Sequence, residues 1–339
     1  MSSSINDEEF TPLMLAIRSG DTDEVKRLIE SGDRTEILYH LNNKGETVLF
    51  LAIRNKNFKI VKMLVEYGAN YYEKNNNGYN AVQIAILNNE NKIVDYLVEK
   101  GVKDAQSMYK RPRISQVSKV SNLFFIDWDD TLFPTSYLTS TFTYKNIIDK
   151  NFKMDESTIN SLKILENEII NLFSVISQYR AQICIITNGK KDWVQYTSML
   201  YYPKFLPFLS QLQVVSINKL CIVSARHIYE KVHKDDQIMW KFEAFKSVAN
   251  HYIESNDIQN IFSIGDSIAE KYAAKFLNAD LKMNNVIRTE FYVKTIQLLP
   301  KPSISALIDE IKRINVKLPT VINKKENLDI VLKPNEEDW

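Results

Sequence analysis

Three carboxylates stand within four positions of this chain. The stretch "FFIDWDDTLF", Phe124 to Phe133, carries Asp127, Asp129 and Asp130 directly after a bulky apolar run. Like charges at this spacing repel, so the crowding needs a compensating partner. A divalent cation is one such partner, and phosphate chemistry is a use for it. Further polar residues end other apolar runs: Thr187 closes "AQICIIT", Arg226 closes "KLCIVSAR", and Asp266 closes "NIFSIGD".

These runs imply a particular scaffold. Continuous apolar segments separated by helix-like ones predict a parallel sheet covered on both faces. The helix-like segments include "INSLKILENEIINLFSVISQY", "MWKFEAFKSVANHYIE" and "SISALIDEIKRI". Ligands of such sheets bind at the carboxyl ends of the strands. Asp127, Thr187, Arg226 and Asp266 would therefore meet along one edge.

The chain has 339 residues, which suits two domains, and 45% of them are hydrophobic. A net charge of +1 argues against bulk attraction to nucleic acid or anionic membrane. Both cysteines, Cys184 and Cys221, lie in apolar runs and read as buried thiols in a reducing compartment. No apolar stretch is long enough to span a bilayer, and the N-terminus lacks the parts of a signal peptide. The expectation is a soluble cytoplasmic protein.

Residues 11–101 repeat themselves. "TPLMLAIRSGDTDEVKRLIESG", "TVLFLAIRNKNFKIVKMLVEYGAN" and "NAVQIAILNNENKIVDYLVEKGV" align at Thr11, Thr47 and Asn80, then at Ala16, Ala52 and Ala85. Leu28, Leu64 and Leu97 follow, and Gly32, Gly68 and Gly101 are expected to end each second helix. The segment resembles three ankyrin repeats, whose period is about 33 residues. It departs in two places: extra residues in "DRTEILYHLNNKG", and Asn-Ala-Val where Thr-Pro-Leu is usual. The resemblance implies an all-α solenoid over 1–102 that binds a protein partner. The alternative is a stabilising cap on the next domain.

Residues 103–121 carry five cations against one acid and read as a basic linker. Its "KRPR" could serve as a nuclear localisation signal or a phosphate contact, or simply as solvated chain.

Residues 122–315 resemble the haloacid dehalogenase-like (HAD) superfamily. The resemblance rests on four elements in order: Asp-x-Asp-x-Thr at Asp127, Asp129 and Thr131; Thr187 after the second strand; Lys241 on a later helix; and Gly265-Asp266 followed by Glu270. The implied fold is an α/β three-layer, Rossmann-like domain with a parallel sheet. The implied activity is Mg²⁺-dependent phosphatase chemistry. Asp127 would be the nucleophile and Asp129 the general acid and base. Mg²⁺ would be held by the Asp127 carboxylate, the Asp129 backbone carbonyl and the Asp266 carboxylate, with Glu270 in an outer-sphere role. Lys241 would neutralise charge, and Thr187 with the neighbouring amides, including Asn188, would bind phosphoryl oxygens. An acid at Asp129 favours a phosphatase over the ATPases and dehalogenases of that superfamily, which lack it.

Other residues carry less. Arg226 could grip substrate or pair with Glu230 four positions on. Trp128 and Asp130 are read as packing or flap residues. His227, His233 and His251 show no metal-ligand spacing. The aromatic stretch "TSMLYYPKFLPFL" is read as core or flap packing. The short insertions after Thr131 and between Thr187 and Lys241 imply a cap-poor, open site. Such a site suits a macromolecular substrate, most simply a phosphoprotein recruited by the repeats. The competing readings are a non-catalytic binding scaffold, a small-metabolite phosphatase and, least supported, a polynucleotide end phosphatase. Residues 316–339 are an unassigned tail.

Overall fold

A computed structural model describes residues 11–31, 45–108, 120–206, 209, 222–254, 256–284, 286–287 and 290–334. The main division into two compact units falls, in sequence, between residues 111 and 112. The "KRPR" segment, Cys221, Gly32 and all but the last residue of "DRTEILYHLNNKG" lie outside the described residues.

The first unit is built from helix pairs: α1 (Pro12–Ser19) with α2 (Thr22–Ser31), α3 (Val48–Arg54) with α4 (Phe58–Glu66), and α5 (Ala81–Leu87) with α6 (Asn91–Met108). First helices stack on first helices and second on second. Ala16, Ala52 and Ala85 are buried in that stack, where a larger side chain would hold the helices apart. Thr11 caps α1 through its hydroxyl, with Pro12 at the first helical position. Asn80 caps α5 in a reciprocal box with Gln83. The departure from Thr-Pro-Leu in the third repeat therefore costs no helix start. Gly68 adopts a positive φ after α4 as expected, but Gly101 ends nothing. It lies inside α6, which runs on to Met108 and takes in the first residues read as linker.

The second unit is a six-stranded, all-parallel sheet in the order β3-β2-β1-β4-β5-β6. The strands are β1 (Asn122–Ile126), β2 (Ala181–Thr187), β3 (Ile222–Ser224), β4 (Asn260–Gly265), β5 (Tyr292–Gln297) and β6 (Leu328–Val331). β1 is central and buried along its whole length, which is why its sequence does not alternate. Its odd and even residues still take different partners. Phe124 and Ile126 join a core with Leu165 and Ile169 of α9 (Glu156–Ser177) and Leu307 and Ile311 of α14 (Ile304–Asn323). Phe125 stacks at 4.3 Å on Phe245 of α12 (Gln237–Ile253). Asp127, two residues past Phe125, thus faces the α12 side of the sheet.

The tail is packed over its described residues, 316–334. α14 continues to Asn323, beyond residue 315, and β6 adds the last strand beside β5. Asp329 of β6 accepts from Thr295 at 2.7 Å and pairs with Lys271 and Lys275. Lys294, in the middle of β5 and fully buried, donates to Asn260 (2.7 Å) and to the carbonyls of Val321 (2.8 Å) and Ile322 (3.0 Å). A cation is thereby placed on the last carbonyls of α14, where the helix dipole favours it. Among the described residues no helix is long and apolar enough to cross a membrane.

Glu310 of α14 yields a test of this packing. One of its oxygens accepts the Leu299 amide at 2.7 Å, and the other is buried with no hydrogen-bond partner. Burial pushes its pKa up from 4.5 to about 7. The folded state therefore binds a proton that the unfolded state has lost. That contribution is complete below pH 4.5 and disappears as pH rises through about 7. Urea unfolding from pH 5.5 to 8.5 should show wild type losing on the order of 2 kcal/mol relative to Glu310→Gln. Parallel curves for the two proteins would contradict this account.

Candidate functional site

The carboxyl ends of β1, β2 and β4 converge. Asp127 follows β1, its amide bonded to the Ile264 carbonyl at 2.9 Å. Lys241 enters from α12 with no exposed surface, and its Nζ donates to Asp127 Oδ1 at 2.6 Å and to the Ile186 carbonyl. Glu270, on the first turn of α13 (Ile268–Met283), completes the cage with Oε1 2.9 Å from Nζ. A lysine this deep is tolerated only because charge and hydrogen bonds surround it. Burial pulls its pKa down, but Asp127 and Glu270 outweigh that and hold it above the usual value.

The anions outnumber this cation. Ligand oxygens of Asp127, Asp266 and Glu270 all lie within 4.8 Å of one another. Burial pushes the Asp127 carboxyl up to about 7 against the pull of Lys241, with Glu270 and Asp129 adding to the rise. Burial likewise lifts Asp266 to about 8, with Asp127, Glu270 and Asp130 contributing. Three hard oxygen donors sharing one lysine fit a small divalent cation, which prefers carboxylate and water ligands. Glu270 is placed by its neighbours: Ser267 bonds its Oε2 through both amide and hydroxyl. Gly265 makes room for it. A Cβ at Gly265 would stand 2.5 Å from Glu270 Cγ, so only glycine lets the acid approach. Glu270, expected in an outer-sphere role, has its carboxylate beside those of Asp127 and Asp266.

Asp129 points elsewhere. Its Oδ1 accepts from Thr135 Oγ1 (2.6 Å) and Trp193 Nε1 (2.7 Å), and its Oδ2 from Thr187 Oγ1 (3.0 Å). All three donors are neutral. Thr187 also accepts the Gly189 amide at 2.8 Å, so its hydroxyl proton is committed to Asp129. Asn188 lies beside it, with a side-chain oxygen that is buried and unpartnered. The Thr131 hydroxyl is likewise buried without a partner.

The remaining predicted residues separate. Arg226 is exposed, bonds Glu230 at 2.8 and 3.0 Å and lies over Trp240, so the pairing alternative is the one observed. Asp130 has φ 55° and accepts the Ser136 amide (2.8 Å) and hydroxyl, which shapes the turn after β1. Trp128 is fully buried and donates to Thr197 at 3.0 Å, which leaves it in the core. None of His227, His233 and His251 joins a group able to hold a metal among the described residues. Two short helices, α7 (Thr135–Thr141) and α8 (Tyr144–Ile147), occupy the insertion after Thr131.

Comparison with known proteins bears on the first unit. Residues 13–108 match the family of ankyrin repeats, in three copies. This segment is an ankyrin repeat array. No curated protein matches the chain. Among solved structures, it is similar to the Bd0816 predatory endopeptidase from Bdellovibrio bacteriovorus in complex with immunity protein Bd3460. The identity is 29% over 27% of this chain and 47% of that chain, with a TM-score of 0.25. The match thus spans about half of that chain, and a superposition of this quality says nothing of shared fold or function. Ankyrin arrays have the architecture of protein-interaction modules.

Sequence reasoning did not single out Thr135, Gly189, Trp193 or Ser267 as site residues. Each lies within six residues of a predicted one, which is the signal that could have found them.

The cluster makes a prediction with two opposite signs. Without divalent cation, Asp266→Asn should raise the melting temperature, because it removes one of three crowded carboxylates. With Mg²⁺ in excess, wild type should gain stability, about 2.7 kcal/mol at a hundredfold excess over Kd, and the variant should gain far less. Thermal melts of both proteins in chelator and in Mg²⁺ read both signs.

Proposed function

We propose that the second unit is a Mg²⁺-dependent phosphomonoester hydrolase of the HAD type. The observation that carries this reading is the division between two acids two residues apart. Asp127 is clamped by a buried lysine beside two further carboxylates, whereas Asp129 is held by neutral donors alone.

The chemistry follows from that division. An Asp127 carboxylate oxygen forms a bond to phosphorus. The bond from phosphorus to the leaving oxygen breaks and its electron pair goes to that oxygen, which takes a proton from Asp129. Water then attacks the aspartyl-phosphate, gives a proton back to Asp129, and frees the Asp127 carboxylate as inorganic phosphate departs. Lys241 holds Asp127 in line and offsets its charge as the anionic phosphoryl group approaches. Asp127 and Asp266 would hold Mg²⁺, joined by the Asp129 backbone carbonyl as the family resemblance implies. The ion would supply charge neutralisation that one lysine cannot. Glu270 ties Lys241 and the turn after β4 into the same cluster.

The ankyrin array recruits a protein partner, and the substrate is a phosphoprotein. An open cleft of about 580 Å³ beside Glu66, Asn70, Tyr71, Tyr72 and Lys100 offers aromatic and charged groups of both signs to a polypeptide. Joining array and enzyme in one chain raises the local substrate concentration without a new catalytic contact. A cytoplasmic setting accords with the buried Cys184 thiol.

The test is hydrolysis of p-nitrophenyl phosphate by the full chain. Wild type should turn over with Mg²⁺ and not with chelator, and Asp127→Asn should fall to background under both conditions. Turnover that ignores the metal, or that survives in Asp127→Asn, overturns the reading.

A further inference from the structure

Trp193 has no role in the reaction as written above, yet it touches the acid at the centre of it. It opens α10 (Trp193–Tyr201), six residues beyond the end of β2. The residue before it, Asp192, sits at φ 65° in the left-handed region, which L-residues other than asparagine and aspartate rarely occupy. That backbone choice turns the chain so that the indole faces back toward β1. The ring is then fixed on two sides. Phe133 meets it edge-on at 6.3 Å, and Tyr144 stacks on it at 5.8 Å. The indole N–H reaches Asp129 Oδ1 at 2.7 Å, a short distance for a neutral donor to a carboxylate.

The same spot is crowded in a way that reports a fit. A Cβ on Gly189 would stand 2.8 Å from Trp193 Cδ1, 3.0 Å from Thr187 Oγ1 and 3.1 Å from Asp129 Oδ2. Glycine is therefore needed because indole, hydroxyl and carboxylate all converge there. Thr135, on the opposite side of the turn, supplies the second donor to Oδ1. Oδ1 thus has two donors directed at it, one for each lone pair. Oδ2 has one, from Thr187, and keeps a lone pair for a further hydrogen.

We propose that Trp193, with Thr135, is a positioning residue that saturates Asp129 Oδ1 and so assigns the transferable proton to Oδ2. This deepens the phosphatase reading and rests on it. A carboxylate free to rotate about its last torsion would present either oxygen to the leaving group. With Oδ1 doubly bonded by rigid donors, one oxygen is presented in one orientation. Proton transfer is sensitive to that geometry, and pre-organised donors contribute through fixed position rather than through charge. Trp193 does not contact the phosphorus and is not itself a proton carrier.

The experiment compares full-chain wild type, Trp193→Phe and Gly189→Ala on two substrates with Mg²⁺. p-Nitrophenyl phosphate has a leaving group that departs readily without a proton, whereas phenyl phosphate needs one. Phenylalanine keeps an aromatic ring at the position and removes the N–H. Trp193→Phe should lose about tenfold or more in kcat on phenyl phosphate and less than about threefold on p-nitrophenyl phosphate, with KM nearly unchanged on both. Gly189→Ala, which pushes the three groups apart without removing a donor, should show the same substrate-dependent loss. Equal losses on the two substrates, or a loss confined to KM, overturn the positioning role while leaving the phosphatase reading intact. A wild type inactive on both substrates overturns that reading and this proposal with it. A second measurement is independent of turnover. The Trp193 indole N–H resonance, assigned through its loss in Trp193→Phe, should move in Asp129→Asn, and an unmoved resonance shows that the hydrogen bond is absent.

Discussion

The fully buried ammonium of Lys241 organises the carboxyl edge of the sheet. Lys241 Nζ binds Asp127 after β1, the Ile186 carbonyl within β2 and Glu270 after β4. An unpaired charge at that depth would cost several kcal/mol, so the three partners are obligatory rather than optional. The requirement runs both ways. The strand ends must arrive together for the lysine to be buried, and the lysine must be there for the carboxylates to tolerate one another. Local crowding in "DWDDT" is thus settled by a residue 114 positions later in the chain.

The lysine does not balance the site. Three carboxylates share it, and burial drives both Asp127 and Asp266 toward their protonated forms. Crowding buried carboxylates in this way costs stability unless a cation compensates it. The surrounding structure absorbs the cost through its core. Phe124 stacks on Phe262 of the neighbouring strand at 4.3 Å, and Ile126 and Ile264 continue the same register up to the site. The apolar runs that precede the acids are therefore the support for the polar cluster beyond them.

This division explains what could be read from the chain alone. Apolar runs ending in Asp127, Thr187 and Asp266 located three strand ends, because burial on both faces leaves an uninterrupted signature and polarity returns only at the edge. The ankyrin period was legible for a similar reason: each unit repeats the same burial problem. What stayed hidden was long-range or low in contrast. β6 is four residues with alternating exposure at a sheet edge, and "LDIV" carries too little pattern to separate it from a loop. Gly101 looked like a helix end by alignment with Gly68, but local helix propensity in α6 carries the chain past it. Trp193 stands four residues before the aromatic-rich stretch "TSMLYYPKFLPFL", a kind of sequence that usually fills cores. Its hydrogen bond to a residue 64 positions earlier has no sequence signature.

Asp127 and Asp129 show how one strand end gives two identical side chains different surroundings. Residues two apart would share a face if β1 continued, and both would then meet Lys241. The chain instead turns at once: Asp130 adopts a left-handed φ, and the Leu132 and Phe133 amides fold back to the Trp128 carbonyl at 2.9 Å. That turn sends Asp129 away from the lysine and toward Thr135, Thr187 and Trp193. Lys241 pulls against burial in favour of the Asp127 carboxylate anion, the form that the proposed attack on phosphorus needs. A carboxylate surrounded by neutral donors gains a fixed orientation without a permanent counter-charge, which suits the proton-transfer role proposed for it. The proposed division of roles thus rests on a turn of a few residues.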